Sequence, residues 1–320
     1  MIVIISSQYD ITTQIVIDWL YSLDTAFQLI YSEDVSNLET LGFSSDSYLT
    51  INGIPFTKNT IVWHRRGRVR LLSYDHMKKE TTYRYLKKEE NALVKALELV
   101  LSKNVKKYIG SFLAEDENYK LYHLMIAKQV GLHIPETEIT TSKANLVAFK
   151  RKYGKIISKD LRYPVFIKLE NTSCLNSAGT IEVLDEDIEQ LADFFEPVYL
   201  QQLLPKAFEV RVFCIEEQVY AMAIFSQNNE KTQLDYRNYD PGLPNRCVPF
   251  KLPSVIEKKL KTFMNKAGLS TGSADFIVTK DNTYYFLEIN PMGQLDWVSK
   301  NCNYHIEKNI AHMLYQNTIS

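Results

Sequence analysis

The sequence predicts an α/β protein in which an N-terminal α/β domain precedes two α+β lobes. Three observations carry this expectation. The chain opens strand, helix, strand, with IVII (2–5), ITTQIVIDWLYSL (11–23) and FQLIY (27–31), the order of a parallel pair wound through a helix. Its middle then alternates short apolar runs with amphipathic helices. Near the C-terminus two apolar strand-like runs, ADFIV and YYFLEI, set Asp275 and Glu288 where a buried strand usually carries valine.

Taken in order, SYLTINGIPF alternates around Asn52-Gly53, the strongest short hairpin signal. TIVWHRR reads as a strand ending in a basic cluster. From about Met77 to Lys103 a helix is expected, with Leu86, Leu93, Leu97 and Val100 on its apolar side. A first domain, 1–112, closes there. In the second unit, 113–198, the helix within ENYKLYHLMIAKQVGLHIPETEI is stopped by Gly131 and Pro135. A helix over 142–153, strands KIISK, VFIKL and GTIEVL, and an acidic helix over 185–195 follow. The third unit, 199–320, starts from PVYLQQLL, FEVRVFCIE and VYAMAIFSQ, expected to form one antiparallel meander. A polar loop over 235–249, the helix SVIEKKLKTFMNKAGL, the two carboxylate strands and a terminal helix from about Trp297 complete it.

Composition narrows the function. Of 320 residues, 45% are hydrophobic and 23% charged, as in globular proteins generally. The formal net charge of -1 supplies no bulk attraction to nucleic acid or an anionic membrane, so neither is expected as a partner and any basic site must be local. Cys174, Cys214, Cys247 and Cys302 form no CxxC pair and no zinc-spaced cluster, and read as reduced thiols. MIVIISSQYD lacks a basic segment before its short apolar run, and no run approaches 18 apolar residues, so a cytoplasmic protein is expected.

The chemistry concentrates late in the chain. In a hairpin over 273–290, period-2 alternation puts Glu288 and Asn290 on one face, with Asp275 able to face them from the partner strand. Three oxygen donors meeting at one point suit magnesium, which takes one or two carboxylates together with substrate phosphates. An edge hairpin with its carboxylates in water is the alternative. Upstream, Lys159 and Lys168 sit at or near the ends of apolar strands, either as surface cations or as point-charge partners for phosphate. Arg211 in FEVRVF, and Arg237 and Arg246 in DYRNYDPGLPNRCVPF, offer the bidentate grip that suits phosphate or carboxylate.

The order lysine strand, VYLQQLL, EVR, arginine loop, DF and LEINP resembles the ATP-grasp superfamily of carboxylate–amine ligases. VWHRR, FEVRVF, IFSQ, DYRNYD, PNR, GSADFI, LEINPMGQ and CNYHIEK resemble its peptide-modifying branch, the microviridin-type or graspetide ligases, and within it the maturases of grasp-with-spasm systems. The resemblance implies an ATP-grasp fold behind a pre-ATP-grasp domain, with ATP held between two lobes. It implies that Lys159 meets the phosphates and that Gln201, Gln202, Leu203 and Leu204 form the adenine hinge. Arg211 and Arg237 would hold γ-phosphate or acyl phosphate, and Asp275, Glu288 and Asn290 would hold Mg2+. Glu209 becomes a candidate for the ribose hydroxyls and, with Arg246, completes the catalytic set. Which of Lys155, Lys159 and Lys168 meets which phosphate stays open. LENTSCLNSAGT departs from the family's Gly-rich cover, having only Gly179, so Ser, Thr and Asn donors would close over the nucleotide. Trp63, Arg65 and Arg66 are expected to help enclose the substrate, with a solvated basic loop as the alternative.

The activity so implied is ATP-dependent joining of Asp or Glu side chains of a ribosomal precursor peptide to Ser/Thr hydroxyls or Lys amines. The implied partners are that peptide, leader and core, a radical SAM/SPASM enzyme of the same pathway, and a second copy in a homodimer. A small-molecule amino-acid or glutathione-type ligase and a non-catalytic ATP- or peptide-binding scaffold are the competing readings.

Overall fold

The protein is described by a computed structural model over residues 1–43, 47–71, 81–161, 166–168, 174–176, 179–238 and 240–319. β1 (Ile2–Ser6) is wholly buried. Asp10 caps α1 (Ile11–Ser22), its carboxylate accepting from the Thr13 amide at 2.7 Å and the Thr13 hydroxyl at 2.9 Å. β2 (Phe27–Tyr31) pairs parallel with β1, as expected. β3 (Leu38–Phe43), β4 (Ser47–Ile51) and β5 (Ile54–Phe56) form a small antiparallel sheet, and the β4–β5 turn sits at Asn52 (φ 52°) and Gly53 (φ 72°). Two successive positive φ angles are what a tight hairpin turn requires. β6 (Ile61–His64), α2 (Thr81–Asn104) and β7 (Lys107–Ile109) complete a parallel sheet of order β2-β1-β6-β7.

The buried face of α2 is Glu90, Val94, Leu97, Glu98 and Leu101, turned slightly from the expected stripe. Two acids are drawn inward because backbone donors wait for them. Glu90 accepts from the Leu71 amide, and Glu98 from the Ser111 hydroxyl and the Leu113 amide. The expected first residues of this helix, 77–80, lie outside the described residues.

α3 (Phe112–Asp116) and α4 (Lys120–Gln129) follow, the latter ending at Gly131 with φ 78°. Next come β8 (Thr137–Ser142), α5 (Lys143–Tyr153), β9 (Ile156–Lys159), β10 (Phe166–Lys168), β11 (Cys174–Asn176), β12 (Ile181–Glu182), α6 (Asp185–Glu189) and β13 (Phe194–Gln202). The helix expected over 185–195 stops early because its C-terminal part joins β13. β13 also corrects the meander. It pairs with β8 and β9 in a sheet of order β12-β9-β13-β8, not with the strands that follow it. The Leu203 amide donates to Lys155 O at 3.0 Å, keeping the strand on this sheet until Pro205, which lacks an amide donor.

β14 (Lys206–Ile215), β15 (Gln218–Phe225), α7 (Glu230–Gln233), β16 (Arg246–Phe250), α8 (Ser254–Ala267), β17 (Thr271–Thr279), β18 (Tyr284–Asn290), α9 (Asp296–Cys302) and α10 (Ile306–Ile319) complete the chain. Their antiparallel sheet has order β16-β15-β14-β17-β18. One face packs Val210, Phe276 and Phe286 against Leu124 of α4 and Phe263 of α8. The other packs Phe213, Met222 and Ile224 with Ile310 of α10 into a core that also contains Ile4, Val16 and Trp63. The N-terminal sheet and the C-terminal lobe therefore share one apolar core. The single terminal helix expected from Trp297 is two helices, since Asn303 and His305 take φ 54° and 51° and break the run. Cys214, Cys247 and Cys302 are free thiols, and no described helix is long and apolar enough to cross a membrane.

Candidate active site

Three adjacent strands place the charges in one row. Arg211 of β14 is in register with Asp275 of β17, which is in register with Glu288 of β18; Ser273 stands opposite Asn290. Arg211 Nη1 donates to both carboxylate oxygens of Asp275, at 3.0 and 2.8 Å, and to the Tyr236 hydroxyl at 3.3 Å. Glu288 is approached from two other elements, by Lys120 Nζ of α4 at 3.2 Å and by Arg237 Nη1 at 3.6 Å. Arg237 is itself held by Asp235, Nη2 to Oδ2 at 2.6 Å. Lys159 Nζ donates to Gln201 Oε1 at 2.9 Å across the paired β9 and β13.

These neighbours set the charge states. Burial pushes Asp275 above the ordinary aspartate value, and Arg211 opposes that push. Glu288 also feels burial, but Lys120, Arg237 and Lys159 together hold it below the ordinary value. Burial lowers the Lys159 ammonium to about 8, with Glu288 resisting and Arg237 assisting. Arg237 moves the other way, raised by its hydrogen bonds to Asp235. The result is a cationic pocket, with Lys120, Lys159, Arg211 and Arg237 around Asp235, Asp275 and Glu288.

Two chambers meet at this row. A narrow cleft between the β9–β13 sheet and the five-stranded sheet is lined by Lys159, Gln201 to Leu204, Glu209, Arg237, Asp275 and Glu288. Its volume is about 60 Å³, small beside the several hundred Å³ common for ligand pockets. A chamber of about 810 Å³ opens on the other side, lined by Arg66, Glu115, Arg211, Asn290, Asp296 and Trp297 among others. Tyr236 and Arg237 line both.

Most of the expected site is brought together here: Lys159, Gln201, Gln202, Leu203, Leu204, Glu209, Arg211, Arg237, Asp275, Glu288 and Asn290 all line one chamber or both. Two of them have local partners. The Gln201 amide donates to the Thr137 and Tyr199 hydroxyls, and Glu209 accepts from Lys206 at 2.5 Å and from Ser226 at 2.5 Å. Three of the expected residues lie elsewhere than expected. Trp63 is 2% exposed and its indole packs in the shared core, not at either chamber. Arg65 is 4% exposed and donates to the carbonyls of Met292 and Gly293, so its guanidinium is occupied by backbone. Arg246 belongs to β16, not to a loop, and lies exposed over the Phe225 ring at 5.4 Å, lining neither chamber. Arg66 keeps a place at the wide chamber and pairs with Asp10 at 3.3 Å. The side chain of Lys168 and most of the LENTSCLNSAGT cover lie outside the described residues.

Sequence reasoning missed Lys120, Asp235, Tyr236 and Trp297. Lys120 opens an amphipathic helix where a solvated lysine is ordinary, and nothing local announces its 3.2 Å contact with Glu288. Asp235 and Tyr236 adjoin Arg237 in a segment that reads as solvated loop. Tyr236 stacks on Trp297 at 5.9 Å and 23°, and Arg211 lies over the same indole at 6.0 Å, so the two aromatics wall the guanidinium.

The donors fit a hard divalent cation. No described group of three His, Cys, Asp or Glu could hold a metal, so an ion here would rest on Asp275, Glu288 and the Asn290 amide, with phosphate and water as its remaining ligands. That is magnesium chemistry and not zinc chemistry.

No protein-family model matches the chain. Among solved structures, the chain is similar to the macrocyclase MdnC of Microcystis aeruginosa MRC bound with its precursor peptide MdnA. The identity is 27%, the coverage 99% of each chain and the TM-score 0.78. It is also similar to a RiPP-associated ATP-grasp ligase of Chryseobacterium gregarium in complex with ADP and a leader and core peptide, at 21% identity, 98% of this chain, 96% of that one and TM-score 0.83. The ATP-grasp ligase PsnB, complexed with minimal precursor, Mg and ADP, gives 19% identity, 99% and 97% coverage and TM-score 0.76. A curated D-alanine–D-alanine ligase of Desulforamulus reducens is 23% identical over 176 residues, 52% of this chain. The chain spans 56% of that relative's length. The fold expected from the sequence is the fold of these structures.

Proposed function

We propose, from the premise that this chain is an ATP-grasp ligase of the graspetide type, that it closes macrocycles in a ribosomal precursor peptide by activating Asp or Glu side chains with ATP. The observation that carries this reading is the meeting of the two chambers at Tyr236 and Arg237, with Asp275, Glu288 and Arg211 at the junction. A nucleotide in the cleft would turn its phosphates toward Lys120, Lys159 and Arg237. A peptide carboxylate in the wide chamber would reach the same junction from the other side, drawn by Arg66, Arg211 and Arg237.

A carboxylate is a poor acyl donor because oxide is a poor leaving group. Attack of its oxygen on the γ-phosphorus expels ADP and leaves an acyl phosphate. A hydroxyl or amine of the same peptide then attacks the carbonyl carbon, loses its proton and expels phosphate, giving an ester or amide ring. Arg211 and Arg237 would hold the transferring phosphoryl group, and Lys159 the polyphosphate chain, so that positioning and charge neutralisation supply most of the rate. Mg2+, held by Asp275, Glu288 and Asn290, would supply further neutralisation of phosphate charge. The grasp-with-spasm resemblance adds a radical SAM/SPASM enzyme as pathway partner, and its branch adds a homodimer.

The test is the intact mass of precursor peptide after incubation with the protein, ATP and magnesium. Loss of about 18 Da per ring, one water, is expected. No mass change with ADP release driven by free amino acids would replace this reading with a small-molecule ligase, the activity named for the curated relative. No ADP release with any acceptor would leave the scaffold reading.

A further inference from the structure

The motif NPMG begins at Asn290, the last proposed metal ligand, and its backbone is fastened from several sides. The Gly293 amide donates to Asn290 O at 3.0 Å, closing a tight turn over Asn290 to Gly293. A Cβ added at Gly293, whose φ is 20°, would stand 2.7 Å from the Ser273 amide nitrogen on β17, so only glycine lets the turn lie this close to the strand. Ser273 Oγ donates to Gln294 O at 3.4 Å, and Asn118 Nδ2 to Ile289 O at 3.2 Å. The remaining fastening comes from the other end of the chain. Arg65 Nη1 donates to the carbonyls of Met292 and Gly293, the latter at 3.0 Å, and its Nε lies 3.6 Å from Asp10, the residue that caps α1.

An arginine at this depth normally takes its place opposite a carboxylate or phosphate. Here, with Asp10 behind it, its forward donors meet only main-chain oxygens of the turn. Those carbonyls have no other described donor, so removing the guanidinium would leave two buried acceptors unmatched and free the turn from the β6 end of the parallel sheet.

We infer that Arg65, braced by Asp10, is a positioning residue that fixes the Asn290–Gly293 turn and thereby the metal-ligand geometry of Asn290. The inference rests on the proposed function and deepens it. The N-terminal sheet helps build the nucleotide site from 225 residues away in sequence, without touching nucleotide or peptide. Arg65 and Arg66, adjacent in VWHRR, then divide the work: Arg65 acts through the turn, and Arg66 faces the peptide chamber.

The experiment measures Mg·ADP binding by calorimetry over a magnesium titration, with no peptide present, in wild type, Arg65→Lys, Arg65→Ala, Asp10→Asn and Arg66→Ala. Kinetic constants for ATP and peptide are then measured on the same proteins. Arg65→Ala is expected to raise the magnesium requirement and weaken Mg·ADP by about tenfold or more, the usual effect of removing an outer partner of a metal ligand. Arg65→Lys restores part of it, and KM for peptide stays near wild type in both Arg65 variants; Asp10→Asn, which touches Arg66 as well as Arg65, shows a smaller loss of magnesium affinity together with a raised KM for peptide. Arg66→Ala is expected to do the reverse, raising KM for peptide with Mg·ADP affinity intact. If Arg65→Ala fails to fold, Arg65→Lys carries the same comparison. Unchanged magnesium dependence with raised peptide KM in the Arg65 variants would overturn the inference and return Arg65 to the substrate. Absence of Mg·ADP binding in the wild type would instead remove the nucleotide reading on which it rests.

Discussion

Two strands of this protein end in charge, and they use it in opposite ways. β6 runs IVWH into Arg65 and Arg66, and β18 runs YYFLEIN with Glu288 and Asn290 at its end. At β6 the polar groups are bound by nearby structure. His64 Nδ1 lies 2.8 Å from the Tyr108 hydroxyl and Nε2 2.6 Å from Gly67 O, burial holds this imidazole down at about 4, and Arg65 is taken by two carbonyls. At β18 the partners of Glu288 are side-chain cations from α4 and from the segment before β16, at the wall of the narrow cleft. Charge bound to backbone is architecture, because a carbonyl cannot leave. Charge bound by long side chains at a chamber wall can exchange partners, and exchange is what a reaction needs.

The sharpest test of the contrast removes one carboxylate from β18. Glu288→Gln keeps the shape and drops the charge, and ATP turnover is expected to fall by more than about 10³-fold, ~4 kcal/mol of barrier. Circular dichroism and the thermal midpoint should stay near wild type; retained turnover would reduce β18 to an ordinary charged hairpin. The matching change at the other strand is Trp63→Ala, which empties a buried position in the shared core and should cost about 3 kcal/mol of stability. Below its lowered melting point the variant should keep wild-type KM for peptide. A raised KM with unchanged stability would put Trp63 back at the substrate.

Lys159 sharpens the comparison through pH. Its folded-state value is about 8 against an ordinary 10.5, so between those limits the unfolded chain holds more protons and stability rises with pH, the cost being fully present below about 8. Function runs the other way, since a neutral lysine cannot pair with phosphate. Values of kcat/KM for ATP should fall above about pH 8, by roughly tenfold at pH 9, and Lys159→Arg should shift that limb upward by more than two units. A flat profile through pH 9 would show that Lys159 does not carry the phosphates.

How much of this was legible in the sequence follows from where each partner sits. Asp275 and Glu288 announce themselves because a carboxylate in an apolar strand violates a local pattern; the hairpin puts these two in register, and Asn290 follows two places on along the same strand. The parallel opening and the Asn52-Gly53 turn are local in the same sense. Lys120 violates nothing in its helix, and its meaning comes from a contact 168 positions away with Glu288. The reverse holds at the end of β6, where Arg65 in WHRR looks like part of a binding patch because its partners, the Met292 and Gly293 carbonyls, are main chain and carry no residue-type signal, whereas Arg66 beside it does line the wide chamber. β13 reads as part of the later meander for a related reason: an apolar run shows that it pairs but not with which sheet, and the crossing at Pro205 decides it.

The smallest expected effect separates two arginines nine residues apart. Arg237 is pinned by Asp235 and reaches Glu288, while Arg246, in the edge strand β16, lies exposed over the Phe225 ring. Sequence alone treats them alike, as guanidinium groups in one polar segment. An exposed cation–π contact contributes about 0.5–1 kcal/mol, so Arg246→Ala should lower the melting point by a few degrees at most and leave ATP and peptide constants within about twofold. Arg237→Ala should lose phosphoryl transfer, because removing it leaves Asp235 without its main partner and Glu288 with one cation fewer. If Arg246→Ala proved as damaging as Arg237→Ala, with the fold intact, the two chambers would not contain the whole site, and the edge of the sheet at β16 would have to be part of the peptide's path.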